Sequence, residues 1–316
     1  YGGTINLMGK SFRKFGWNAI FVDNDNPDAF RAAVTEKTRA IFVESLANPG
    51  GVIVDLEAIA KIAQEAEVPL IVDNTMATPW LCRPFEWGAD LVVHSTTKFL
   101  SGQGNAMGGI VIDSGRFPWF SNAKYPSLSE PCPDYNGLTF AETFGDMAFT
   151  LYSHAVSLRD LGCTQSPMNA WITLNGVETL PLRMERHVEN AHKVAGFLQQ
   201  HHSVEWVSYA GLSSSPYYQL AQKYLQGKAG SVFTFGIRGG YESGLLLLEK
   251  VELFSHVSNI GDSRSLILHP ASTTHRQLSD EQRLTAGAGP EVIRLSVGIE
   301  SAEDLIADLE QALEGL

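Results

Sequence analysis

Cysteine is scarce in this sequence of 316 residues, and no two cysteines lie close together. Cys82, Cys132 and Cys163 are an odd number without a C-x-x-C pair, which excludes a disulfide framework and a zinc ribbon. No apolar run approaches the roughly 20 residues that a membrane-spanning helix needs. The first residues, YGGTINLMGK, lack the basic start and the apolar core of a signal peptide. These absences together predict a protein of the reducing cytoplasm without a membrane partner.

Positive charge is also in short supply. Lys and Arg number 23 against 35 Asp and Glu, so the net charge is −12 at pH 7. A negative field of this kind repels phosphate backbones, and nucleic acid is not expected as a partner. The sequence has 9 histidines but no H-E-x-x-H motif, and His187 and His192 are spaced so that they do not share a helix face. A metal site is therefore not predicted.

What the sequence does contain is the composition of a globular protein, 44% hydrophobic and 18% charged. Through its first half, short apolar runs alternate with amphipathic runs at helical spacing. Continuous apolar strands separated by helices indicate a mostly parallel sheet covered on both faces, the doubly wound α/β class. The predicted strands cover residues 18–23, 39–45, 68–74, 90–95 and 108–113, and the predicted helices cover residues 27–35 and 55–66, with a short helical piece near 84–89.

The second half of the chain has a different pattern. A proline-rich and aromatic segment, residues 114–137, is interpreted as a long excursion outside the core, with its function left open. Residues 166–202 are predicted to be helical throughout. Strands over 231–238, 252–258, 265–270 and 292–299 and helices over 243–252 and 301–316 follow. We therefore predict a large domain over residues 1–180 and a smaller α+β domain over residues 181–316.

Polar residues stand at the ends of three successive predicted strands. In open α/β sheets, ligands bind in the crevice outside the carboxyl ends of the strands, so these side chains are candidates to share one site. A structural alternative stays open for each of them, because Asp and Ser often cap the helix that follows a strand. The strand-end residues are Glu44 and Ser45, Asp73 and Asn74, and His94 and Ser95.

Lys98 favours a binding site over simple helix capping. It follows a predicted strand in HSTTKFLSGQG, between hydroxyl residues and a glycine-rich loop. A lysine there either extends to water or is held at the lowered pKa that suits Schiff-base chemistry. Ser95, Thr97 and the N–H groups of the loop could anchor a phosphate beside the amine. With Asp73 available to keep a pyridine nitrogen protonated, this set predicts a site for pyridoxal 5'-phosphate.

The segment VDNTMATPWLCRPFEWGADLVVHSTTKFLSGQGNAMGG, residues 72–109, resembles the cofactor-binding signature of the Cys/Met-metabolism pyridoxal-phosphate enzymes. The resemblance runs nearly end to end and implies the aspartate-aminotransferase-like fold, fold type I. Within the family, YGGTINL, FVESLANPGG, GDSRSLILHPASTTHRQLS and VIRLSVGIES are similar to the O-acetylhomoserine sulfhydrylase branch. That branch implies replacement of the acetate of O-acetyl-L-homoserine by sulfide, giving L-homocysteine for methionine biosynthesis. Cystathionine γ-synthase and methionine or cystathionine γ-lyase stay open as alternatives.

The resemblance also implies roles residue by residue. Lys98 would form the Schiff base, Asp73 would pair with the pyridine nitrogen, and Tyr1 would stack on the ring. That Tyr1 also relays protons is a hypothesis. The other residues implied are Ser95 and Thr97 at the phosphate, Asn48 at the phenolic oxygen, Arg294 at the substrate carboxylate and Asn259 beside that carboxylate.

An anion-binding role for Arg294 can be inferred without the family resemblance. It interrupts VIRLSVGI, a strand that is otherwise apolar at nearly every position, and a buried guanidinium needs a planar anionic partner. The alternative that stays open is an edge-strand arginine facing water. Asn259 stands where lyases and cystathionine-forming members often have serine, and asparagine there is similar to the sulfhydrylase branch.

Two further expectations rest on the resemblance alone. Relatives assemble as tetramers built from dimers that share active sites, so a homotetramer, a dimer of dimers, is expected. The family also has a stretch before the tyrosine of YGGT, and this stretch supplies phosphate contacts, some of them from a neighbouring subunit. No such stretch precedes Tyr1 in the sequence. The hypothesis from a different class is therefore a truncated, catalytically incompetent fragment.

Overall fold

The computed structural model describes residues 1–277 and 279–316, and within that part the side chains of Gln282 and Thr285 are left aside. Its first sheet has four strands in the order β1-β2-β3-β4. The first three strands are parallel, as predicted, and β4 runs antiparallel to β3. The strands are β1 (Ile41–Glu44), β2 (Leu70–Asp73), β3 (Leu91–Ser95) and β4 (Gly109–Asp113). The connection from β3 to β4 consists of the turn Thr96–Leu100 and a glycine-rich loop, without the α-helix that usually crosses over to a parallel strand.

The second sheet has five strands in the order β5-β6-β9-β8-β7. Every pair in it is antiparallel except β7 with β8. The strands are β5 (Val204–Ser208), β6 (Val232–Ile237), β7 (Ser255–His256), β8 (Leu266–Leu268) and β9 (Val292–Ser296). This sheet confirms the predicted change from a parallel to a mixed α+β pattern.

Helices cover both sheets, and α3 shows why the sequence forms them. Its first turn is capped by the Asp55 carboxylate, which accepts a hydrogen bond from the Ala58 N–H at 3.3 Å. Its apolar residues Leu56, Ile59 and Ile62 recur at helical spacing and are all buried. The helices are α1 (Gly2–Asn6), α2 (Pro27–Ala33), α3 (Leu56–Glu65), α4 (Thr78–Leu81), α5 (Pro126–Ser129), α6 (Phe140–Phe144), α7 (Ala148–Tyr152), α8 (Arg159–Leu161), α9 (Pro167–Glu178), α10 (Leu180–Gln200), α11 (Tyr218–Tyr224), α12 (Gly240–Lys250), α13 (Asp280–Thr285) and α14 (Ala302–Leu313). Within the described ranges, none of these helices has the length and apolarity to cross a membrane.

One large hydrophobic core contains buried residues from both sheets and from α10. The domain boundary near Leu180 therefore stays a prediction. The interpretation of residues 114–137 as an excursion outside any core is wrong in one respect. Phe117, Trp119 and Leu128 form a second, smaller core with residues of α6 and α7, and Trp119 stacks on Phe149 at 5.4 Å between ring centroids.

The strand predicted over residues 18–23 is wrong. The structure describes these residues without a strand, and Ile20 and Phe21 are exposed. An apolar run becomes a strand only when a neighbour pairs with its backbone, and the described sheet ends at β1.

The helix predicted over residues 166–202 is two helices, α9 and α10, with a break at Thr179. Pro181 explains the break, because proline has no N–H to continue the hydrogen-bond ladder. The strand predicted over residues 252–258 is reduced to the two residues of β7, and the sequence analysis did not predict β5 or α11.

His187 on α10 is a buried histidine held in its neutral form. Its Nδ1 donates to the Val297 carbonyl at 2.6 Å, and its Nε2 has no partner among the described residues. The ring also meets Phe99 edge-on, with ring centroids 5.4 Å apart. Burial lowers the pKa of His187 to about 4.

The lowered pKa of His187 predicts a loss of stability in mild acid. The unfolded chain takes up a proton near the ordinary histidine pKa, while the folded state does not until about pH 4. The contribution of His187 to the free energy of unfolding therefore falls as the pH drops from about 6.5 toward 4, by about 2 kcal/mol between pH 7 and pH 5. Urea unfolding at both pH values measures this loss. The matched variant His187→Asn, which keeps a donor for the Val297 carbonyl but cannot take up a proton, is expected to lose about 2 kcal/mol less than the parent. Equal losses in the two proteins would contradict the assignment.

Candidate active site

A cavity of about 240 Å³ lies at the carboxyl ends of β1, β2 and β3 and is closed on its other side by residues of the second sheet and its loops. Its position is the one predicted for a ligand site in an open α/β sheet. All the site residues predicted from the sequence line it, with the exception of Thr97. They are Tyr1, Asn48, Asp73, Ser95, Lys98, Asn259 and Arg294.

Thr75 joins the ends of β2 and β3 on the floor of the cavity. Its N–H donates to Asp73 Oδ1 at 3.0 Å, and its hydroxyl oxygen accepts from the Ser95 N–H at 2.8 Å. The carboxylate of Asp73 and the backbone of Ser95 are thus held in fixed positions beside each other. The sequence analysis missed Thr75, although it lies two residues beyond Asp73, at the end of the same strand.

Lys98 lies in a tight turn, Thr96–Leu100, directly after β3. Its Nζ donates to Asn259 Oδ1 at 2.5 Å. In the described part of the chain, no carboxylate forms an ion pair with this amine. Burial lowers the pKa of Lys98, and the positive charge of Arg294 lowers it further. The amine therefore loses its proton more readily than an exposed lysine does, as a base or a Schiff-base nucleophile requires.

Thr97 is the predicted site residue that does not line the cavity. Its hydroxyl accepts from the Gly108 N–H at 3.1 Å and donates to the Gly108 carbonyl at 3.3 Å. These bonds hold the glycine-rich loop beside the turn of Lys98. A phosphate contact for Thr97 stays a prediction.

Arg294 lies on β9, between β6 and β8, and is largely buried. Its Nη1 donates to Asn48 Oδ1 at 3.5 Å and its Nη2 donates to the Asn259 carbonyl at 3.2 Å. Within the described residues no carboxylate forms an ion pair with it. Burial lowers the pKa of Arg294 to about 10, so the guanidinium keeps its charge at neutral pH. A buried cation without an anionic partner, facing a cavity, is suited to bind an anionic ligand.

Glu44 is a cavity residue to which the sequence analysis gave no role beyond its position at a strand end. One of its carboxylate oxygens accepts from the Asn48 N–H at 3.3 Å. Glu44 therefore holds Asn48 at the rim. Tyr1 itself is 59% exposed.

The other strand-end residues point away from the cavity. Ser45 donates to Asn74 Oδ1 at 2.7 Å, and Asn74 donates to the Cys82 carbonyl at 2.8 Å. His94 is buried, which lowers its pKa to about 4. Ser45 and Asn74 thus form hydrogen bonds behind the strand ends, and neither they nor His94 line the cavity as Glu44, Asp73 and Ser95 do.

The residues present fit the predicted cofactor. Pyridoxal phosphate needs an amine that loses its proton easily, an acid for its ring nitrogen and polar groups for its phosphate. Lys98, Asp73 and Ser95 supply these three kinds of group around one cavity. Their chemistry is therefore the set that this cofactor requires.

The family comparison agrees with this geometry. Residues 1–314 match the family described as Cys/Met metabolism PLP-dependent enzyme. The chain belongs to this family. Its members depend on pyridoxal phosphate, so the predicted cofactor is confirmed.

Curated members of the Cys/Met-metabolism family align with almost the whole chain. An O-acetyl-L-homoserine sulfhydrylase of Leptospira meyeri is 49% identical over 100% of this chain and 73% of its own length. O-acetyl-L-homoserine sulfhydrylase 1 of Thermus thermophilus is 47% identical over 99% of this chain and 75% of its own. A homocysteine synthase of Schizosaccharomyces pombe is 44% identical over 99% of this chain and 74% of its own.

A solved structure shows the same fold. It is described as an O-acetylhomoserine (thiol)-lyase of Campylobacter jejuni, is 42% identical and superposes with a TM-score of 0.96 over 100% of this chain and 75% of that chain. That crystal contains pyridoxyl-lysine monophosphate, in which the cofactor is joined to a lysine. The predicted fold class is confirmed by this match and by family membership.

Proposed function

We propose that the protein replaces the acetate of O-acetyl-L-homoserine with sulfide, which gives L-homocysteine and acetate. The observation that carries the proposal is that a lysine amine and an arginine with no carboxylate partner among the described residues line one cavity and share Asn259, through its side chain and its carbonyl respectively. An amino-acid substrate needs such a pair, a base for Cα and a cation for the carboxylate. Relatives named O-acetyl-L-homoserine sulfhydrylase and homocysteine synthase support this choice of substrate and nucleophile.

Arg294 binds the substrate carboxylate in this proposal. Its two contacts with amide-bearing residues, Asn48 Oδ1 and the Asn259 carbonyl, fix the plane of the guanidinium so that its other N–H groups face the cavity. A planar fork matches a carboxylate with two parallel hydrogen bonds. The substrate's α-carbon is thereby placed on the side of the cavity where Lys98 lies.

Lys98 takes up and returns the substrate's protons in this proposal. When bound, pyridoxal phosphate supplies an electron-withdrawing ring that stabilises negative charge at the substrate's Cα. Because its pKa is lowered, Lys98 gives up its own proton more readily than an exposed lysine does, and its Nζ takes the Cα proton and returns a proton later. Asp73 would hold the proton of the ring nitrogen, Ser95 would contact the phosphate, and Tyr1 would stack on the ring. The other proposed site residues are Thr97 at the phosphate, Asn48 at the phenolic oxygen and Asn259 beside the substrate carboxylate.

A homotetramer, a dimer of dimers, is proposed as the assembly. Met168, Trp171, Leu174 and Val177 are exposed large apolar side chains at a spacing of three residues along α9, which supports a covering subunit. Sedimentation equilibrium at the mass of four chains is expected, and a monomer would contradict it. A cytoplasmic location is proposed from the three free cysteines. Cell fractionation tests it.

The activity is tested by giving the protein O-acetyl-L-homoserine with sulfide, methanethiol or cysteine in turn. We expect homocysteine and acetate in equal amounts with sulfide, because both arise from one replacement at Cγ. Rapid ketobutyrate release without homocysteine would instead show a γ-lyase, and cystathionine formed from cysteine would show a γ-synthase. A protein that binds the cofactor but turns over none of these mixtures would overturn the proposal.

A further inference from the structure

Each backbone carbonyl of the turn Thr96–Leu100 accepts a hydrogen bond, and three of the donors belong to Ser101 and Gly102, which directly follow the turn. Local groups satisfy the first three carbonyls. These bonds run from Ser101 N to Thr96 O (3.1 Å), from Ser101 Oγ to Thr97 O (3.1 Å) and from Gly102 N to Lys98 O (2.8 Å). The next two carbonyls, those of Phe99 and Leu100, accept hydrogen bonds from a residue that is distant in the sequence. Both donors belong to Arg183.

Arg183 lies on α10 and is 9% exposed. Its Nη1 donates to Phe99 O at 2.8 Å and its Nη2 donates to Leu100 O at 3.4 Å. On its other side the same guanidinium donates to Gly176 O at 2.7 Å and to Thr179 Oγ1 at 3.1 Å. One planar group therefore joins the end of α9 to the turn of Lys98.

An ion pair does not account for this buried charge. Among the described residues no carboxylate forms a salt bridge with Arg183, and burial lowers its pKa. Burying a guanidinium without a counter-ion costs free energy unless its N–H groups are satisfied. Backbone carbonyls satisfy most of them here, and two of those carbonyls directly follow Lys98.

The backbone at Gly102 lies so close to Arg183, and that at Gly176 so close to Leu100, that neither position has room for a side chain. A Cβ added at Gly102, where φ is +76°, would lie 2.3 Å from Arg183 Nη1. A Cβ added at Gly176 would lie 2.4 Å from the Leu100 carbonyl. The guanidinium therefore fills a space that two glycines leave open between α9 and the turn.

We infer that Arg183 is a positioning residue for Lys98: it fixes the turn through the Phe99 and Leu100 carbonyls and so holds the lysine amine in place against Asn259. The inference rests on the proposed function, since it takes Lys98 as the residue that joins the cofactor. Loss of Arg183 leaves the two carbonyls without their donors and frees the turn. A displacement of about 1 Å at a reacting group costs about 10²-fold in rate.

The test uses the full chain with Arg183→Gln and Arg183→Lys, and with Asn190→Ala as the matched control. Asn190 lies on the same face of α10, is also buried and donates to the carbonyls of Gly298 and Glu300 at 3.0 and 2.8 Å, away from the turn. The first readout is independent of turnover. Pyridoxal phosphate is added to the apoprotein, and the rate at which visible colour appears is followed against pH.

Arg183→Gln is expected to move the pH of half-maximal colour formation upward, because the freed amine gains water and its pKa rises toward the ordinary lysine value. Glu44, Asp73 and Arg294, the charged groups that line the cavity, are the same in all variants. The turnover number kcat should fall about 10²-fold, with KM for O-acetyl-L-homoserine changed by less than about threefold. Arg183→Lys keeps some of the donors. Its pH of half-maximal colour formation and its kcat should therefore lie between those of Arg183→Gln and those of the parent. Asn190→Ala should lose thermal stability and keep the parent's pH profile.

Two results would overturn the inference. One is a parental pH profile and kcat in both Arg183 variants. The other is a shift of the pH profile in Asn190→Ala as large as that in Arg183→Gln, since a general loss of stability would then explain both. If Arg183→Gln does not fold, Arg183→Lys decides alone. Lys98→Ala, measured alongside, tests separately the role of Lys98 on which the inference rests: full colour in that variant rejects Lys98 as the residue that joins the cofactor, whatever the Arg183 variants do.

Discussion

Lys98→Ala is expected to remove at least about 10³-fold of the turnover of O-acetyl-L-homoserine and the stable visible colour of the protein with pyridoxal phosphate. The reason is that one amine serves two purposes. In the proposed function this amine both joins the cofactor as a nucleophile and moves the substrate's protons as a base, and its lowered pKa favours the deprotonated form that both tasks require. In the described part of the chain, no second lysine lines the cavity.

Absorbance spectra and turnover are measured together, with Lys98→Arg and Lys193→Ala beside the alanine variant. Lys98→Arg keeps a cation next to Asn259 and cannot form a Schiff base, so it should be as inactive as alanine. Lys193 is a surface lysine paired with Glu189, and its replacement should leave colour and turnover unchanged. Full colour in Lys98→Ala would show that another amine joins the cofactor and would reject the site.

The first sheet shows how much of the site can be predicted locally. A strand that ends in a polar residue and a glycine-rich loop is visible in the sequence, so local patterns make Asp73, Ser95 and Lys98 candidates, with helix capping open as the alternative for the strand-end residues. The strand alone does not tell which of two adjacent polar residues faces the cavity. That choice depends on the alternation of side chains and on the register with the neighbouring strands, which places Glu44 opposite Asp73 and leaves Ser45 and Asn74 buried behind them.

Local sequence patterns do not predict contacts between residues that are distant in the sequence. Arg183 is one charged residue among several on an amphipathic helix, and only the packing of α10 against the turn shows that its donors reach Phe99 and Leu100. The family resemblance gives Asn259 a place near the substrate carboxylate. It does not show that its side chain and its carbonyl face two different cations, Lys98 and Arg294.

The errors in the fold have the same origin. The run at residues 18–23 is apolar enough for a strand, but strand formation depends on a pairing partner that a single segment cannot specify. Residues 114–137 contain prolines and polar residues typical of a loop, yet Phe117 and Trp119 bury their rings together with α6 and α7. Aromatic side chains bury large areas, so a few of them stabilise a small core without regular strands.

Arg294 carries the second large prediction. Arg294→Gln is expected to lower kcat/KM for O-acetyl-L-homoserine by about 10²- to 10³-fold, mainly through KM. The guanidinium is buried, keeps its charge at neutral pH because its pKa is about 10, and has no carboxylate partner among the described residues. A substrate carboxylate therefore gains a charge-assisted bidentate contact that the amide of glutamine cannot replace. Arg294→Lys keeps the charge but not the planar fork, so it should recover only part of the loss.

Steady-state kinetics in which each substrate is varied in turn distinguishes the loss of carboxylate binding from general damage of the cavity. Sulfide has no carboxylate, so KM for sulfide should stay within about threefold of the parent in both variants. Arg238→Gln is the matched control, because Arg238 lies at the end of β6, is exposed and donates to the His202 carbonyl at 2.8 Å. Its kinetics should not change. An Arg294→Gln protein in which both KM values rise together would point to general damage of the cavity, and an unchanged KM for O-acetyl-L-homoserine would place the substrate carboxylate elsewhere. A selective rise instead assigns the carboxylate to Arg294 and places the substrate's Cα on the Lys98 side of the cavity.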